Sequence, residues 1–269
     1  MNAIALVISD VDGTLVTSEK RVTERTRQAV AALHARGIGF TIVSSRPIFG
    51  LRMLMETLGI TTPVAAFNGG AIAQPDLRII TRIGLDDLVA RRIVEFLDSR
   101  QVGVWVFTAD AWVTRDPAGA YVERETVTVQ QPPAITDNFD AVTAGALKIV
   151  GVSDDFARLE AIEKEARERF AGAATVMRSQ RYYLDFVAPG IDKGRAVQEL
   201  SAVVGVPLGA IATFGDMEND VPMFRESGFS VAMGNASAAV KREAKESTLS
   251  NDEDGFAAAI ERLILSGAG

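Results

Sequence analysis

The feature that most constrains the fold is an apolar run, Ala3 to Ser9, that ends abruptly in two carboxylates. Its β-branched and small residues indicate a strand buried on both faces of a parallel sheet. Asp10 and Asp12 follow it, at the carboxyl edge where open α/β sheets bind ligands. Because side chains alternate along an extended segment, both carboxylates share one face, and Gly13 permits a sharp turn behind them. Two like charges this close favour a bound cation, so the stretch predicts a metal site.

Two further strands in the first part of the chain end in polar residues. The strand predicted over residues 38–43 leads into Ser44-Ser45-Arg46, and the strand predicted over residues 62–67 leads into Asn68. Helices are predicted between the strands, over residues 22–36 and 48–58. Strand–helix–strand units in this order form right-handed crossovers of a parallel sheet. We therefore expect these polar strand ends to meet at one edge.

The central part of the chain has a different pattern. A hairpin is predicted over residues 71–83, and a helix followed by two strands is predicted twice, around residues 85–115 and 155–187. Between these repeats, the stretch that begins at Asp116 is expected to be irregular, with a loop over residues 129–140. This order predicts a separate α+β domain inserted into the first domain. The predicted limits are residues 84–188 for the insert and residues 1–83 with 189–269 for the α/β core.

The parallel pattern then resumes with charged residues at two more element ends. Lys193 begins a predicted helix, and the buried strand predicted over residues 210–214 leads into Asp216, Asn219 and Asp220. With Asp10 and Asp12 after the first strand and Ser44 after the second, four polar strand ends or helix starts are expected to converge. Together they offer carboxylates, a hydroxyl and a lysine to one edge of the sheet.

Composition excludes several kinds of site. The chain has no cysteine and one histidine, His34, so thiolate zinc sites and multi-histidine metal sites are impossible. We expect His34 on a helix surface or in packing. A net charge of -7 argues against a nucleic-acid surface and fits an ordinary cytoplasmic protein. The first apolar run is too short to span a membrane and has no basic residues before it, so we expect neither a membrane anchor nor an export signal.

The predicted ligand set favours magnesium. Carboxylate oxygens with room for waters and phosphate oxygens suit Mg²⁺ better than Ca²⁺. A calcium loop starting at Asp10 or Asp12 would need a glutamate where Arg21 or Thr23 stands. The chain contains neither a dinucleotide fingerprint nor a P-loop. A carboxylate beside Mg²⁺, with a lysine and hydroxyls to hold an anion, is what aspartyl-phosphate chemistry requires.

The motifs resemble those of the haloacid dehalogenase superfamily, in the same order along the chain. They are Asp10-Val11-Asp12-Gly13-Thr14-Leu15, Ser44-Ser45-Arg46-Pro47, Lys193 and Gly215-Asp216-Met217-Glu218-Asn219-Asp220. Asn68-Gly69-Gly70, Ala232-Met233-Gly234-Asn235-Ala236 and the position of the insert resemble the Cof-type sugar phosphatases. This resemblance implies a Rossmann-like core, an inserted cap between motifs two and three, and a Mg²⁺-dependent phosphatase acting on small phosphate monoesters through an aspartyl-phosphate.

The resemblance also implies a role for each motif residue. Asp10 would be nucleophile and metal ligand, and Asp216 would complete the metal site. Asp12 would offer its backbone carbonyl to the metal and act as general acid and base, with a pKa raised by the neighbouring carboxylates. Lys193 would bind the phosphate and Asp10, and Asp220 would position either Lys193 or a metal-bound water. The expected phosphate-binding residues are Val11, Ser44, Ser45, Lys193 and Asn219.

Several roles stay open on the sequence alone. Ser45 stands where the subfamily usually has glycine, and we expect it to narrow the pocket. Arg46 is expected either to contact substrate or to pair with a nearby acid, and Asn68 either to shape a turn or to contact substrate. Four aromatic residues of the insert are expected mostly in its core, with a substrate-gating role as the alternative: Trp105, Trp112, Tyr182 and Tyr183.

Two other functions use similar residues. A phosphomutase would return the phosphoryl group of Asp10 to another hydroxyl, and a non-hydrolytic phospho-acceptor module would keep it. Asp12, two residues after the nucleophile, and the large insert favour the phosphatase. Neither the substrate nor the oligomeric state follows from the sequence.

Overall fold

The computed structural model describes residues 3–266, which form the following strands and helices. The elements up to the inserted region are β1 (Leu6–Ser9), α1 (Glu24–Ala35), β2 (Gly39–Ile42), α2 (Arg52–Leu58), β3 (Val64–Ala66), β4 (Ala71–Ala73) and β5 (Ile79–Arg82). Those of the insert are α3 (Asp87–Ser99), β6 (Gly103–Phe107), β7 (Trp112–Thr114), α4 (Val122–Val129), β8 (Ala134–Ile135), α5 (Asp140–Thr143), β9 (Lys148–Val152), α6 (Phe156–Arg169), β10 (Thr175–Gln180) and β11 (Tyr183–Val187). The remaining ones are α7 (Lys193–Val204), β12 (Ile211–Gly215), α8 (Val221–Glu226), β13 (Phe229–Ala232), α9 (Ala238–Glu243), β14 (Glu246–Ser247) and α10 (Gly255–Ala259), which continues as a π-helix at Ile260–Leu265.

The core sheet has five parallel strands in the order β14, β13, β12, β1, β2. Its central strands are completely buried, as the unbroken apolar runs predict. Since β1, β2 and β12 are parallel neighbours, their carboxyl ends lie at one edge. A single parallel bridge between Val43 and Ala65 connects β2 to β3, which pairs antiparallel with β4 in a small three-stranded sheet. The predicted hairpin therefore extends the edge of the core sheet.

Helix α1 shows how local sequence and packing agree. The side chain of Thr23 caps its N-terminus by accepting a hydrogen bond from the backbone N–H of Thr26. Val30 and Leu33 recur on its buried face and pack in the same apolar cluster as Phe40 of β2 and Phe256 of α10. Burying each such side chain contributes about 1.5–3 kcal/mol, which fixes the helix against the sheet. His34, on the other face, is exposed, as expected for a surface residue.

The inserted region forms a six-stranded sheet in the order β10, β11, β9, β6, β7, β8, antiparallel except between β7 and β8. Helices α3 and α6 cover one face, where Phe96, Phe170 and Phe186 pack edge to face. Residues on the other face, including Trp105 and Trp112, belong to the same apolar cluster as the α/β core. The fold is thus the predicted one, a parallel α/β core with an α+β insertion of repeated helix–strand–strand units.

One helix of the insert lies where the sequence predicted irregular structure. Residues 122–129 form α4, preceded and followed by the left-handed residues Tyr121 and Gln130. Its valines and threonines have low helix propensity, but Val122 and Val129 are buried in the main apolar cluster. Tertiary packing therefore outweighs the local preference, and the irregular prediction was wrong for this segment.

Across residues 3–266, none of the helices has the length and apolar character that crossing a membrane requires.

Candidate active site

Lys193 stands at the centre of a buried cluster of carboxylates. Its ammonium group donates to Oδ1 of Asp10 and to Oδ1 of Asp220, both at 2.6 Å, and its side chain is only 2% exposed. Carboxylate oxygens of Asp10, Asp216 and Asp220 all lie within 4.8 Å of one another. Residues separated by some two hundred positions in sequence therefore meet at the carboxyl edge of the core sheet, as the strand order predicts.

The local backbone explains why the carboxylates can approach so closely. Gly13 has φ +89°, and a Cβ there would lie 2.4 Å from Oδ2 of Asp216. Gly215 likewise leaves the space that Asp220 occupies. Oδ2 of Asp220 accepts hydrogen bonds from the backbone N–H groups of Asp216 and Met217, at 2.8 and 2.9 Å. Both oxygens of Asp220 are therefore engaged by protein groups.

The electrostatics of the cluster fit a hard cation. Burial, together with Asp220 and Asp12, raises the pKa of Asp10 to about 7 despite the lowering effect of Lys193. Burial and the charges of Asp10 and Asp220 raise the pKa of Asp216 well above its ordinary value. A divalent cation would relieve this repulsion, and an all-oxygen donor set suits Mg²⁺. Asp220 already accepts three short hydrogen bonds, at 2.6, 2.8 and 2.9 Å, so Asp10 and Asp216 are the carboxylates best able to hold the metal.

Two residues that were not assigned a role from the sequence hold Asp216 in place. The hydroxyl of Thr14 donates to its Oδ1 at 3.1 Å, and the amide of Asn235 donates to its Oδ2 at 3.2 Å. Asn235 also donates to the backbone carbonyl of Gly13 at 2.9 Å. Both residues belong to the quoted motifs, so the motifs were a signal that could have identified them.

Asp12 lies in a different environment from the one expected. Arg46 donates to both of its carboxylate oxygens at 2.7 Å, and Lys20 donates to Oδ1 at 2.6 Å. Burial alone would raise the pKa of Asp12, but Arg46 and Lys20 together hold it well below its usual range. The expectation of a raised pKa was therefore wrong for the geometry of this structure. Of the two roles left open for Arg46, pairing with an acid is the one observed.

The residues predicted to bind phosphate lie around this cluster. Val11 and Ser44 are buried, and the hydroxyl of Ser44 accepts a hydrogen bond from the backbone N–H of Arg46 at 3.1 Å. Ser45 is half-buried next to it. Asn219 donates through Nδ2 to Oδ1 of Asn68 at 3.1 Å. The structure thus brings every predicted site residue to one region, and their roles remain predictions.

Asn68 has the turn conformation, one of the two roles that the sequence left open, and the substrate contact stays a prediction. Its backbone is left-handed, with φ 57°, at the end of β3. Its side chain is fully buried and engaged with Asn219 and with Asp185 of the insert, whose carboxylate accepts from Nδ2 at 3.3 Å. In this conformation the side chain of Asn68 therefore contacts protein groups.

A small cavity lies between the core and the inserted sheet, next to Asp12. Its volume is about 20 Å³, room for about one water. The side chains that line it from the insert are mostly polar: Arg124, Glu125, Thr128, Lys148, Gln180, Tyr182 and Tyr183. Trp105 and Trp112 are buried core residues, as expected, whereas Tyr182 and Tyr183 face the cavity. Glu125 and Lys148 were missed because α4 was not predicted and because a lysine inside a strand carries no motif.

Comparisons with known proteins agree with this arrangement. The family model for haloacid dehalogenase-like hydrolases matches residues 7–260. A Bacillus subtilis 5-amino-6-(5-phospho-D-ribitylamino)uracil phosphatase is 27% identical over 288 residues, covering 98% of this chain and 98% of its own length. Another Bacillus subtilis phosphatase is 28% identical, covering 96% of this chain and 99% of its own length. The crystal structure of a haloacid dehalogenase-like hydrolase from Bacteroides thetaiotaomicron is similar with a TM-score of 0.85 at 30% identity, covering 97% of this chain and 99% of that one.

Proposed function

Because the chain belongs to the haloacid dehalogenase-like hydrolase family, we propose that it is a phosphatase that removes phosphate from small monoesters through a phosphoryl group carried on Asp10. The observation that carries the proposal is the buried set of Asp10, Asp216 and Lys193 at the carboxyl edge of β1 and β12. The phosphatase relatives support the reaction class. The bound Mg²⁺, the phosphoryl intermediate on Asp10 and the class of substrate are parts of this proposal.

Asp10 and Asp216 would hold Mg²⁺ through their carboxylates, with the backbone carbonyl of Asp12 as a further ligand. The bound cation would supply positive charge next to the phosphoryl oxygens and lower the repulsion between them and the nucleophile. Lys193 adds a fixed charge on the same side, because both of its carboxylate partners hold its ammonium group in place. Backbone N–H groups of Val11 and Ser45, the hydroxyl of Ser44 and the amide of Asn219 complete the proposed phosphate site.

In the first step, an oxygen of Asp10 attacks phosphorus, forming an acyl–phosphate bond while the bond from phosphorus to the ester oxygen breaks. The departing alkoxide takes a proton from the carboxyl group of Asp12. In the second step, Asp12 takes a proton from the water that attacks the phosphorus. The bond from phosphorus to Asp10 then breaks, which releases inorganic phosphate and regenerates both aspartates.

Asp12 must be protonated for the first step, whereas Arg46 and Lys20 keep it ionised in the closed conformation. Arg46 also donates to the backbone carbonyl of Thr128 in α4, at 3.1 Å. Since the adjoining cavity of about 20 Å³ has no room for an ester, the inserted region must move to admit substrate. That movement would withdraw the Thr128 carbonyl and free Arg46 to leave Asp12. We therefore propose residues 84–188 as a cap over a core of residues 1–83 and 189–269.

The cavity lining favours a polar leaving group. Glu125 is buried and accepts from the hydroxyl of Tyr183 at 3.1 Å, while its charge faces those of Lys148 and Arg46. Carboxylate, amide and ammonium groups together can bind the hydroxyl groups of a sugar or sugar alcohol. Such a leaving group also occurs in the ester on which the 5-amino-6-(5-phospho-D-ribitylamino)uracil phosphatases act. We propose a sugar phosphate or a similar phosphorylated metabolite as substrate.

The test is phosphate release from a panel of monoesters, with Mg²⁺ and with EDTA, for the wild type, Asp10→Asn and the control Asp137→Asn. Asp137 is an exposed aspartate of the insert, so its variant controls for loss of one carboxylate. We expect metal-dependent release by the wild type and Asp137→Asn alone. Unchanged turnover by Asp10→Asn would refute the covalent mechanism, and release that depends on a bisphosphate activator would indicate a mutase.

A further inference from the structure

A lysine and an aspartate of the inserted sheet are buried together on the side that faces the core. Lys148 of β9 and Asp185 of β11 are 4% and 0% exposed in their side chains, and Nζ lies 3.8 Å from Oδ2. Neither residue belongs to the proposed catalytic set. Two charges in such a position are costly to bury, and apolar residues of similar size would stabilise a fold at least as well. Their presence therefore calls for an explanation other than stability.

Each of the two side chains reaches a different loop of the core. Lys148 donates to the backbone carbonyl of Ser45 at 2.9 Å. Asp185 accepts from the amide of Asn68, whose Oδ1 in turn accepts from the amide of Asn219, at 3.3 and 3.1 Å. The inserted sheet is thereby linked to two of the loops that carry predicted phosphate-binding groups, those after β2 and β12.

The hydrogen-bonded series of Asp185, Asn68 and Asn219 has features of a functional rather than a stabilising arrangement. Within residues 3–266, Oδ1 of Asn219 is buried without a hydrogen-bond partner, and the carboxylate of Asp185 has the buried hydroxyl of Ser179 beside it in addition to Asn68 and Lys148. Asn68 and its neighbour Phe67 both have left-handed backbones, with φ 57° and 53°, a conformation that is strained for phenylalanine. An unpaired buried oxygen and backbone strain both cost free energy and tend to persist at sites selected for activity.

We propose that Lys148 and Asp185 are positioning residues that set two of the phosphate-binding loops of the core, those after β2 and β12, an inference that rests on the proposed function. Asn219 has two amide hydrogens. Asn68, held by Asp185, engages one of them and fixes the plane of the amide, which leaves the other for a phosphoryl oxygen. Lys148 fixes the Ser45 carbonyl and with it the orientation of that loop. Phosphate affinity is then coupled to the position of the inserted sheet.

The test compares two substitutions of Asp185 that differ in one property. Asp185→Asn removes the charge but keeps an oxygen that accepts from Asn68, whereas Asp185→Leu removes both. The measurements are the Kd for inorganic phosphate by calorimetry with Mg²⁺ present, and kcat and KM for p-nitrophenyl phosphate. We expect Asp185→Leu to weaken phosphate binding about tenfold, the effect of one lost hydrogen bond of ordinary strength, and to raise KM in parallel. Asp185→Asn should retain most of the wild-type affinity.

Three further variants complete the design. Asn68→Gly keeps the left-handed backbone but removes the side chain that connects Asp185 to Asn219, so it should weaken phosphate binding as Asp185→Leu does. The Asn68→Gly/Asp185→Leu double variant should lose no more phosphate affinity than either single variant. Lys148→Met should also weaken phosphate binding. Asp98→Leu, which breaks an exposed ion pair with Arg115 elsewhere in the insert, should leave it unchanged. Asn68→Gly also keeps the proposal testable if Asp185→Leu does not fold.

Two results would overturn the inference. The first is wild-type phosphate affinity in both Asp185→Leu and Asn68→Gly. The second is an equal loss of phosphate affinity in Asp185→Leu and Asp185→Asn, which would assign the effect to the charge of Asp185 alone. If the wild type binds phosphate but hydrolyses no ester, the proposed function fails, and the affinities of the variants still decide the positioning role. If the wild type binds no phosphate, both proposals fail.

Discussion

Replacing Lys193 by methionine should reveal how strongly the active-site carboxylates repel one another. The substitution keeps an unbranched side chain but removes the only ammonium group that donates to Asp10 and Asp220 within the described chain. Breaking a buried ion pair by removing one partner costs about 3–5 kcal/mol, because the remaining charge stays buried without compensation. Here two carboxylates lose their partner, although Asp220 keeps two backbone N–H donors. We therefore expect Lys193→Met to lower the free energy of unfolding by about that amount in EDTA.

Mg²⁺ should reverse part of this loss, since it would neutralise the same carboxylates. The assay is urea unfolding at neutral pH of the wild type, Lys193→Met and the control Lys164→Met, each in EDTA and in Mg²⁺. Lys164 is exposed on α6, and its replacement should change stability by no more than about 0.5 kcal/mol. A loss below about 1 kcal/mol for Lys193→Met in EDTA would refute the reasoning, because surface ion pairs contribute that little. An equal loss in EDTA and Mg²⁺ would argue against a metal at these carboxylates.

Three other perturbations test different parts of the site. Gly13→Ala should abolish the Mg²⁺-induced rise in melting temperature, because its Cβ would lie 2.4 Å from Oδ2 of Asp216. Because burial raises the pKa of Asp10 to about 7, the folded protein binds this proton more tightly than the unfolded chain does. In EDTA, the contribution of this group to the free energy of unfolding of the wild type should fall as the pH rises from about 4 to about 7, as denaturant unfolding at several pH values can show, and Mg²⁺ should flatten the fall. Glu125→Gln should change the ranking of sugar phosphates in a phosphate-release assay, whereas Glu123→Gln on the exposed face of α4 should not.

Much of the fold and the catalytic cluster could be predicted because the determining signals are local. Buried parallel strands appear as unbroken apolar runs, and β1, β2 and β12 lie within two or three residues of the limits predicted from those runs. Polar residues at their ends meet because parallel strands share an edge. The grouping of Asp10, Lys193 and Asp216 follows from that topology alone.

Other parts of the site depend on contacts that no local pattern encodes. The pKa of Asp12 is lowered by Arg46, more than thirty residues away in the sequence, and by Lys20. The neighbouring carboxylates alone therefore predicted a pKa shift in the wrong direction. Helix α4 exists because Val122 and Val129 are buried in the main apolar cluster, which outweighs the weak helix propensity of its valines and threonines. Glu125 therefore could not be placed at the cavity from the sequence. The engagement of both oxygens of Asp220 likewise requires the folded geometry.

The most direct test of the proposed mechanism is to look for the phosphoryl group on Asp10. Asp12→Asn lacks the group that activates water, and p-nitrophenyl phosphate has a leaving group that needs no proton, so the variant should form the intermediate and hydrolyse it slowly. Acid quenching followed by peptide mass spectrometry should find a phosphorylated peptide that contains Asp10, and the Asp10→Asn/Asp12→Asn double variant should yield none. Rapid release of p-nitrophenol by the wild type, with no phosphorylated peptide from Asp12→Asn at any quench time, would contradict the account.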